Sequence, residues 1–136
     1  MNKNIKVAAA IIIKEGRFFA TQRGYGAWKD WWEFPGGKVE AGETSEEALV
    51  REIKEELDTL VSVDEFVTTV EYDYPEFHIS MDCFICSVIS GELKLLEHES
   101  AKWLPLSDPW QVKWLPSDIE VIKKLTERSE QQGRKS

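Results

Sequence analysis

The chain lacks any apolar run long enough to cross a membrane. Its longest apolar stretch is Val7–Ile13, far short of the roughly 20 residues a helical span needs. Met1–Lys6 ahead of it is polar and basic, and no cleavage-site pattern follows, so no targeting segment is read. There is no internal repeat and no Ser/Gly linker. With 5 Pro and 8 Gly in 136 residues, the chain is neither collagen-like nor disordered, and its length suits a single domain. Positive charge is in deficit: 17 Lys+Arg against 25 Asp+Glu leave a net charge of −8. Such a surface repels phosphate backbones and argues against polynucleotide binding, but a small phosphorylated ligand could still be held by a few local cations. Cysteine is scarce. Cys83 and Cys86 form a C-x-x-C, yet residues three apart on a strand face opposite sides. They read as two reduced, partly buried thiols of a cytoplasmic protein rather than a zinc or disulfide site. Both glycine-rich phosphate loops are missing. Gly37-Lys38 is followed by Val39 with no glycine five residues before Gly37, and Gly24-x-Gly26 lacks its third glycine.

What is present alternates and punctuates clearly. Ile5–Lys14 reads as a buried strand, Glu15-Gly16 as a turn and Arg17–Arg23 as the return strand of a hairpin. Gly24–Asp30 is a loop, Trp31–Phe34 a short strand and Pro35-Gly36-Gly37 its break. Thr44-x-x-Glu47 is a capping box opening a helix to about Leu57. Leu60–Tyr72 and His78–Ile89 are long strands joined at Asp73–Phe77, and Ala101–Leu104 is a further strand. Ser117-x-x-Glu120 is a second capping box, opening a helix to about Arg128. Residues 1–128 form one domain, with a polar, frayed tail over 129–136. Strands with two main helices give an α+β class or a mixed-sheet sandwich. The six tryptophans, Trp28, Trp31, Trp32, Trp103, Trp110 and Trp114, read as packing and rim residues.

The first helix carries the chemistry. At about 100° per residue, Leu49, Val50, Ile53 and Leu57 share a core-facing arc, and Glu52, Glu55 and Glu56 form a narrow stripe beside it. Like charges at i, i+3 and i+4 cost a helix a few tenths of a kcal/mol per pair. A solvated acidic face is the plain structural explanation. The alternative is a site for a hard cation such as Mg²⁺, which takes oxygen ligands.

The spacing around that stripe is more specific. Gly37, Glu43, Arg51, Glu52, Ile53, Glu55 and Glu56 match the pattern G-x5-E-x7-R-E-U-x-E-E-x-G-U, where U is bulky and aliphatic. This resembles the Nudix box. Two positions depart: the late glycine is Asp58 and the final aliphatic is Thr59. Asp tolerates the left-handed helix end that this glycine normally takes. Trp32–Glu40, Thr21-Gln22-Arg23, Val70–Pro75 and Leu115–Asp118 are similar to segments of MutT-type nucleoside triphosphate pyrophosphohydrolases, most like the branch acting on CTP.

The resemblance implies a Nudix fold, an α/β/α sandwich with a mixed sheet between helices. It implies metal-dependent hydrolysis of a nucleoside triphosphate to monophosphate and pyrophosphate. Glu55 and Glu56 are then metal ligands, Glu52 a ligand or the general base, and the Gly36 carbonyl a further ligand. Arg51 and Glu43 form an orienting ion pair. The fourth carboxylate is expected at Glu99, with Glu97 as runner-up, and His98 is a loop residue. Arg23 and Lys38 match phosphate-contacting positions. Asp118, Tyr74 and Phe77 are candidates for the base pocket. An ionised Asp only accepts hydrogen bonds, which suits an exocyclic amine such as that of cytosine. The expected cofactor is Mg²⁺, with Mn²⁺ as a substitute. The expected partner is a small nucleotide, with no polynucleotide and no membrane, and the chain is a monomer or weak dimer. CTP or a deoxycytidine triphosphate, modified or not, ranks first as substrate and an oxidised purine triphosphate second. Nucleoside diphosphate sugars rank third. From another class, a Nudix module that senses nucleotide without cleaving it remains the rival; an RNA-decapping enzyme is disfavoured by the acidic surface.

Overall fold

A computed structural model describes residues 3–134, with side chains described as far as Ser129. Met1-Asn2 and the last two residues of the expected tail lie outside the described residues. The elements are β1 (Lys3–Lys14), β2 (Arg17–Arg23), β3 (Trp32–Glu33), β4 (Gly36–Lys38), α1 (Ser45–Leu57), β5 (Leu60–Asp73), β6 (Phe77–Ser90), β7 (His98–Pro105) and α2 (Pro116–Arg134).

The apolar run Val7–Ile13 is continuous because β1 is central and covered on both faces. It pairs parallel with β6 and antiparallel with β2 and β4, in a sheet ordered β3-β2-β1-β6-β5, with β7 on β2. Ala8, Ala10 and Ile12 pack under Leu49, Ile53 and Leu57 of α1. Ala9 and Ile11 face the other way, to Val121, Ile122 and Leu125 of α2. The chain is therefore a mixed sheet between helices, as the sequence implies. Cys83 joins one core and Cys86 the other, both free and buried. Each fully buried Leu or Ile in these layers contributes about 1.5–3 kcal/mol.

Three local expectations change. The Pro35-Gly36-Gly37 break contains a strand, β4, laid against Val7–Ala9. Gly36 has φ +153°, and a Cβ there would strike the Ala8 carbonyl, so only glycine allows that approach. Ser117 is no helix cap. Pro116 takes the first helical turn, as its fixed φ favours, and Asp118 and Ile119 donate to the Leu115 carbonyl. Helix α2 also runs to Arg134 rather than Arg128, because its Glu- and Gln-rich end contains no proline to stop it.

Candidate active site

Helix α1 begins as its sequence requires. Thr44 accepts from Glu47 N, and the Glu47 side chain returns to Thr44 N. The helix ends at Asp58 in a left-handed conformation, φ 47°. Thr59, standing where an aliphatic residue is expected, is fully buried with its hydroxyl satisfied. It donates to Leu57 O at 2.9 Å and accepts from Leu93 N at 2.8 Å.

Arg51 organises the start of the site. It grips Glu43 through two nitrogens at 2.7 and 2.9 Å, the bidentate geometry that makes such pairs strong. The same guanidinium donates to Glu52 at 2.8 Å, to Glu55 at 3.3 Å and to the Lys38 carbonyl at 3.0 Å. Arg51 thus ties the box loop to the helix and relieves part of the repulsion along the acidic stripe. Its bonds, with one from Glu40 N, hold the Glu43 carboxyl down at about 2. Gly37 lies directly under Glu52: a Cβ there would collide with the carboxylate. The spacing from glycine to glutamate is a packing requirement.

The three glutamates differ in exposure. The Glu55 side chain is 57% exposed, that of Glu52 17% and that of Glu56 10%. Glu56 Oε2 has no hydrogen-bond partner. Burial, then the charges of Glu52, Glu33 and Glu97, push its carboxyl well above the usual range. His98 Nε2 is 3.9 Å from Glu56, but burial and Arg23 lower the His98 pKa, so its ring is neutral at neutral pH and forms no ion pair there. Leu96 N bonds the Glu56 carbonyl and Lys94 N the Leu57 carbonyl, which brings Glu97-His98 over the end of α1.

Among the described residues, no three His, Cys, Asp or Glu side chains form a closed chelating group; Glu52 and Glu55 turn toward Arg51. The donor chemistry nonetheless fits a hard divalent cation. An orphaned carboxylate oxygen sits in the field of three further acids, and every candidate donor is oxygen.

Beside Glu56 opens a cavity of about 280 Å³, near the low end of small-molecule sites. Gly36, Gly37, Lys38, Arg23, Glu97 and His98 line it with Glu56. Its far end is assembled from distant segments. Trp32 N bonds the Lys113 carbonyl and Leu115 N the Trp32 carbonyl, stitching β3 to the approach of α2. Asp118 follows and accepts from Phe34 N at 3.0 Å. It is 3% exposed, so it is no solvated charge at a helix end. Burial and the Glu33 charge raise its carboxyl to about 7. Glu33 is itself raised to about 7 by burial, against the opposing pull of Arg23, which stands 3.7 Å away. Tyr74 and Phe77 stack with ring centroids 5.0 Å apart. The Tyr74 hydroxyl meets Ser117 Oγ at 2.9 Å.

Gly36, Glu56, Arg23, Lys38, Asp118, Tyr74 and Phe77 therefore line one cavity; Glu43, Arg51, Glu52 and Glu55 do not line it, and Arg51 and Glu52 connect to it through the Lys38 carbonyl and Gly37. Glu99 does not join them. It faces outward to Lys29 at 3.4 Å, while its neighbour Glu97 lines the cavity. Simple alternation would put Glu97 and Glu99 on one face; a β-bulge separates them, because Gln22 pairs with Ser100 and Arg23 with His98, which leaves Glu99 as the unpaired extra residue of β7. Three residues escaped the sequence reading. Glu33 is one, signalled only by an acid between Trp32 and Phe34. His98 is another, because β7 starts earlier than the sequence suggests. Trp28 is the third: it lines the cavity edge-on to Tyr74, centroids 5.6 Å apart, from a left-handed backbone, φ 65°.

Comparison with known proteins agrees with this geometry. The NUDIX domain family matches residues 3–125. The CTP pyrophosphohydrolase of Escherichia coli K12 is 33% identical over 122 residues, covering 89% of this chain and 90% of that protein. The 8-oxo-dGTP diphosphatase of the same organism is 33% identical over 125 residues, covering 90% and 97%. The solution structure of the E. coli ORF135 protein superposes with a TM-score of 0.80 at 32% identity, covering 93% of this chain and 91% of that one. The box, the sandwich and the cavity beside Glu56 belong together: the chain is a member of the Nudix hydrolase family.

Proposed function

We propose that the chain hydrolyses nucleoside triphosphates to the nucleoside monophosphate and pyrophosphate, with CTP or a deoxycytidine triphosphate, modified or not, as favoured substrate. The observation that carries this reading is a buried acid, Asp118, at the far end of an aromatic-walled cavity whose other end is the Nudix box. Glu52, Glu55, Glu56 and the Gly36 carbonyl would hold a divalent cation, Mg²⁺ with Mn²⁺ as substitute. Glu97 is better placed than Glu99 as the fourth carboxylate. When bound, the cation neutralises phosphate oxygens and acidifies water. Glu52 accepts the proton of the attacking water at a carboxylate oxygen, a role Gly37 and Arg51 serve by fixing the side chain. Arg23 and Lys38 bind phosphate oxygens and orient the chain for in-line attack. Trp28, Tyr74 and Phe77 wall the base and exclude water.

Asp118 reads the base. As a neutral acid it donates one hydrogen bond and accepts another, matching the ring nitrogen and amine of cytosine. Ionised, it only accepts, which complements the two N–H groups of a guanine-type edge. Its pKa of about 7 places both forms within reach, and this supports a second reading, hydrolysis of 8-oxo-dGTP. The E. coli relatives named for each activity support both.

A pyrophosphate-release assay on a panel of normal and modified triphosphates with Mg²⁺ and Mn²⁺ tests the proposal. Turnover with CTP or a deoxycytidine triphosphate leading the panel is expected. Saturable nucleotide binding without any turnover would instead make the chain a sensing module.

A further inference from the structure

The wall of the cavity is fastened from behind. Tyr74, Phe77 and Ile79 line the cavity from the β5–β6 hairpin, and Tyr74 N closes the turn on the Phe77 carbonyl at 2.8 Å. Strand alternation sends His78, between Phe77 and Ile79, to the opposite face of the sheet. There both ring nitrogens meet carboxylates. Nδ1 is 2.6 Å from Asp73, and Nε2 is 2.8 Å from Glu71. Asp73 is the direct cross-strand partner of His78 at the end of the ladder. Glu71 lies opposite Ser80, whose hydroxyl it also accepts at 2.8 Å.

A neutral imidazole carries one N–H and one lone pair. It can satisfy one of these carboxylates only by turning its lone pair on the other. The imidazolium donates to both. Of the surrounding charges, Asp82 acts on Glu71. On β1 the register partner of His78 is the uncharged Asn4; Lys3 stands opposite Phe77, and Lys6 is 3.7 Å from Asp82. From α1, Ser45 bonds Asp82. Glu76, in the turn, is the remaining nearby acid.

We propose that His78 is a positioning residue for the reaction: held as an imidazolium between Glu71 and Asp73, it fixes the hairpin that presents Tyr74 and Phe77 to the nucleotide. The inference rests on the nucleotide-hydrolase reading of the cavity. The hydrogen bonds to Glu71 and Asp73 raise the His78 pKa. The clamp, and the stability it adds, is therefore complete below about pH 6.5. It is lost as pH rises through the raised value. Substrate affinity at the aromatic wall weakens with it.

The test compares wild type, His78→Gln and His78→Lys. Lysine keeps a cation that does not titrate in the working range. At pH 6, His78→Gln should raise KM about three- to fivefold with kcat little changed, the scale of an exposed charge pair. His78→Lys should stay near wild type there. As pH rises through the raised His78 value the ratio of His78→Gln to wild type should fall toward one, because the wild-type ring loses its proton. Comparing ratios at each pH removes the shared titration of Asp118 and Glu33. With only 2 His in the chain, NMR assigns the His78 ring by its loss in the variant. Its titration should be raised, and the Tyr74 and Phe77 amide shifts should move with it. Should His78→Gln fold poorly, the double variant Glu71→Gln/Asp73→Asn replaces it and should return the ring to an ordinary titration. Wild-type KM in His78→Gln at pH 6, or amide shifts at Tyr74 and Phe77 indifferent to the ring, overturns the proposal. A wild type that hydrolyses no triphosphate defeats the functional reading alone, while the NMR titration still judges the clamp.

Discussion

The two ends of the cavity are built in opposite ways. The Nudix box residues Gly37, Glu43, Arg51, Glu52, Glu55 and Glu56 come from one short stretch of chain, in which a single guanidinium holds Glu43, Glu52 and Glu55. At the far end, Asp118, Glu33, Tyr74, Phe77 and Trp28 come from separate segments, joined by long-range bonds such as that from Phe34 N to the Asp118 carboxylate across 84 positions. In the proposed reading the acidic end performs chemistry common to any phosphate chain, and the far end meets the part of the nucleotide that differs from one substrate to the next. On that reading catalysis is encoded locally and selectivity by tertiary assembly, and the two should separate under mutation.

The largest effect should come from Glu52→Gln. It should lower kcat about 10²- to 10⁴-fold, the range of a lost general base, for every triphosphate alike. Thermal unfolding should barely move, because Glu52 makes no contact the core depends on. Equal folding with a wild-type rate would refute its role. Next is Gly37→Ala, whose new Cβ would meet the Glu52 carboxylate. Displacing that group should cost about 10- to 100-fold in kcat, again without changing base preference. The ranking of triphosphates by kcat/KM measures this directly.

A smaller effect concerns stability. The Glu43 carboxyl is held at about 2 by Arg51. A depressed carboxylate contributes stability that is present above its unfolded pKa of about 4.3 and is lost as pH falls toward 2. Glu43→Gln should therefore flatten the loss of Tm between pH 5 and 3 and leave Tm near pH 8 modestly lower. Both side chains of the pair are partly exposed to solvent, so the effect should also shrink in high salt.

The same contrast explains what was legible in the sequence. The box could be found because the contacts Arg51–Glu43 and Gly37–Glu52 are short-range and demand fixed spacing. The helix bounds followed from the Thr44 capping box, and the central strand from its unbroken apolar run. The far end carries no such spacing. Asp118 is a base-pocket candidate by resemblance alone, and its burial emerges only when β3 is seen stitched to Leu115. Glu33 looks like one polar residue of an edge strand, and Trp28 like a rim tryptophan. Glu97 and Glu99 are indistinguishable until the start of β7 is known. Register and burial decide these residues, and both are properties of the folded sheet.

The separation of chemistry from base choice is tested most directly by kcat/KM of Asp118→Ala for CTP and 8-oxo-dGTP across pH 6 to 8. Wild type should shift its preference from CTP toward 8-oxo-dGTP as pH rises through about 7, the pKa of Asp118. The variant should lose that shift and change the ratio of the two substrates by about tenfold, the worth of one lost hydrogen bond to a base. An equal loss of activity on both substrates, with the pH shift of the ratio intact, would contradict the account.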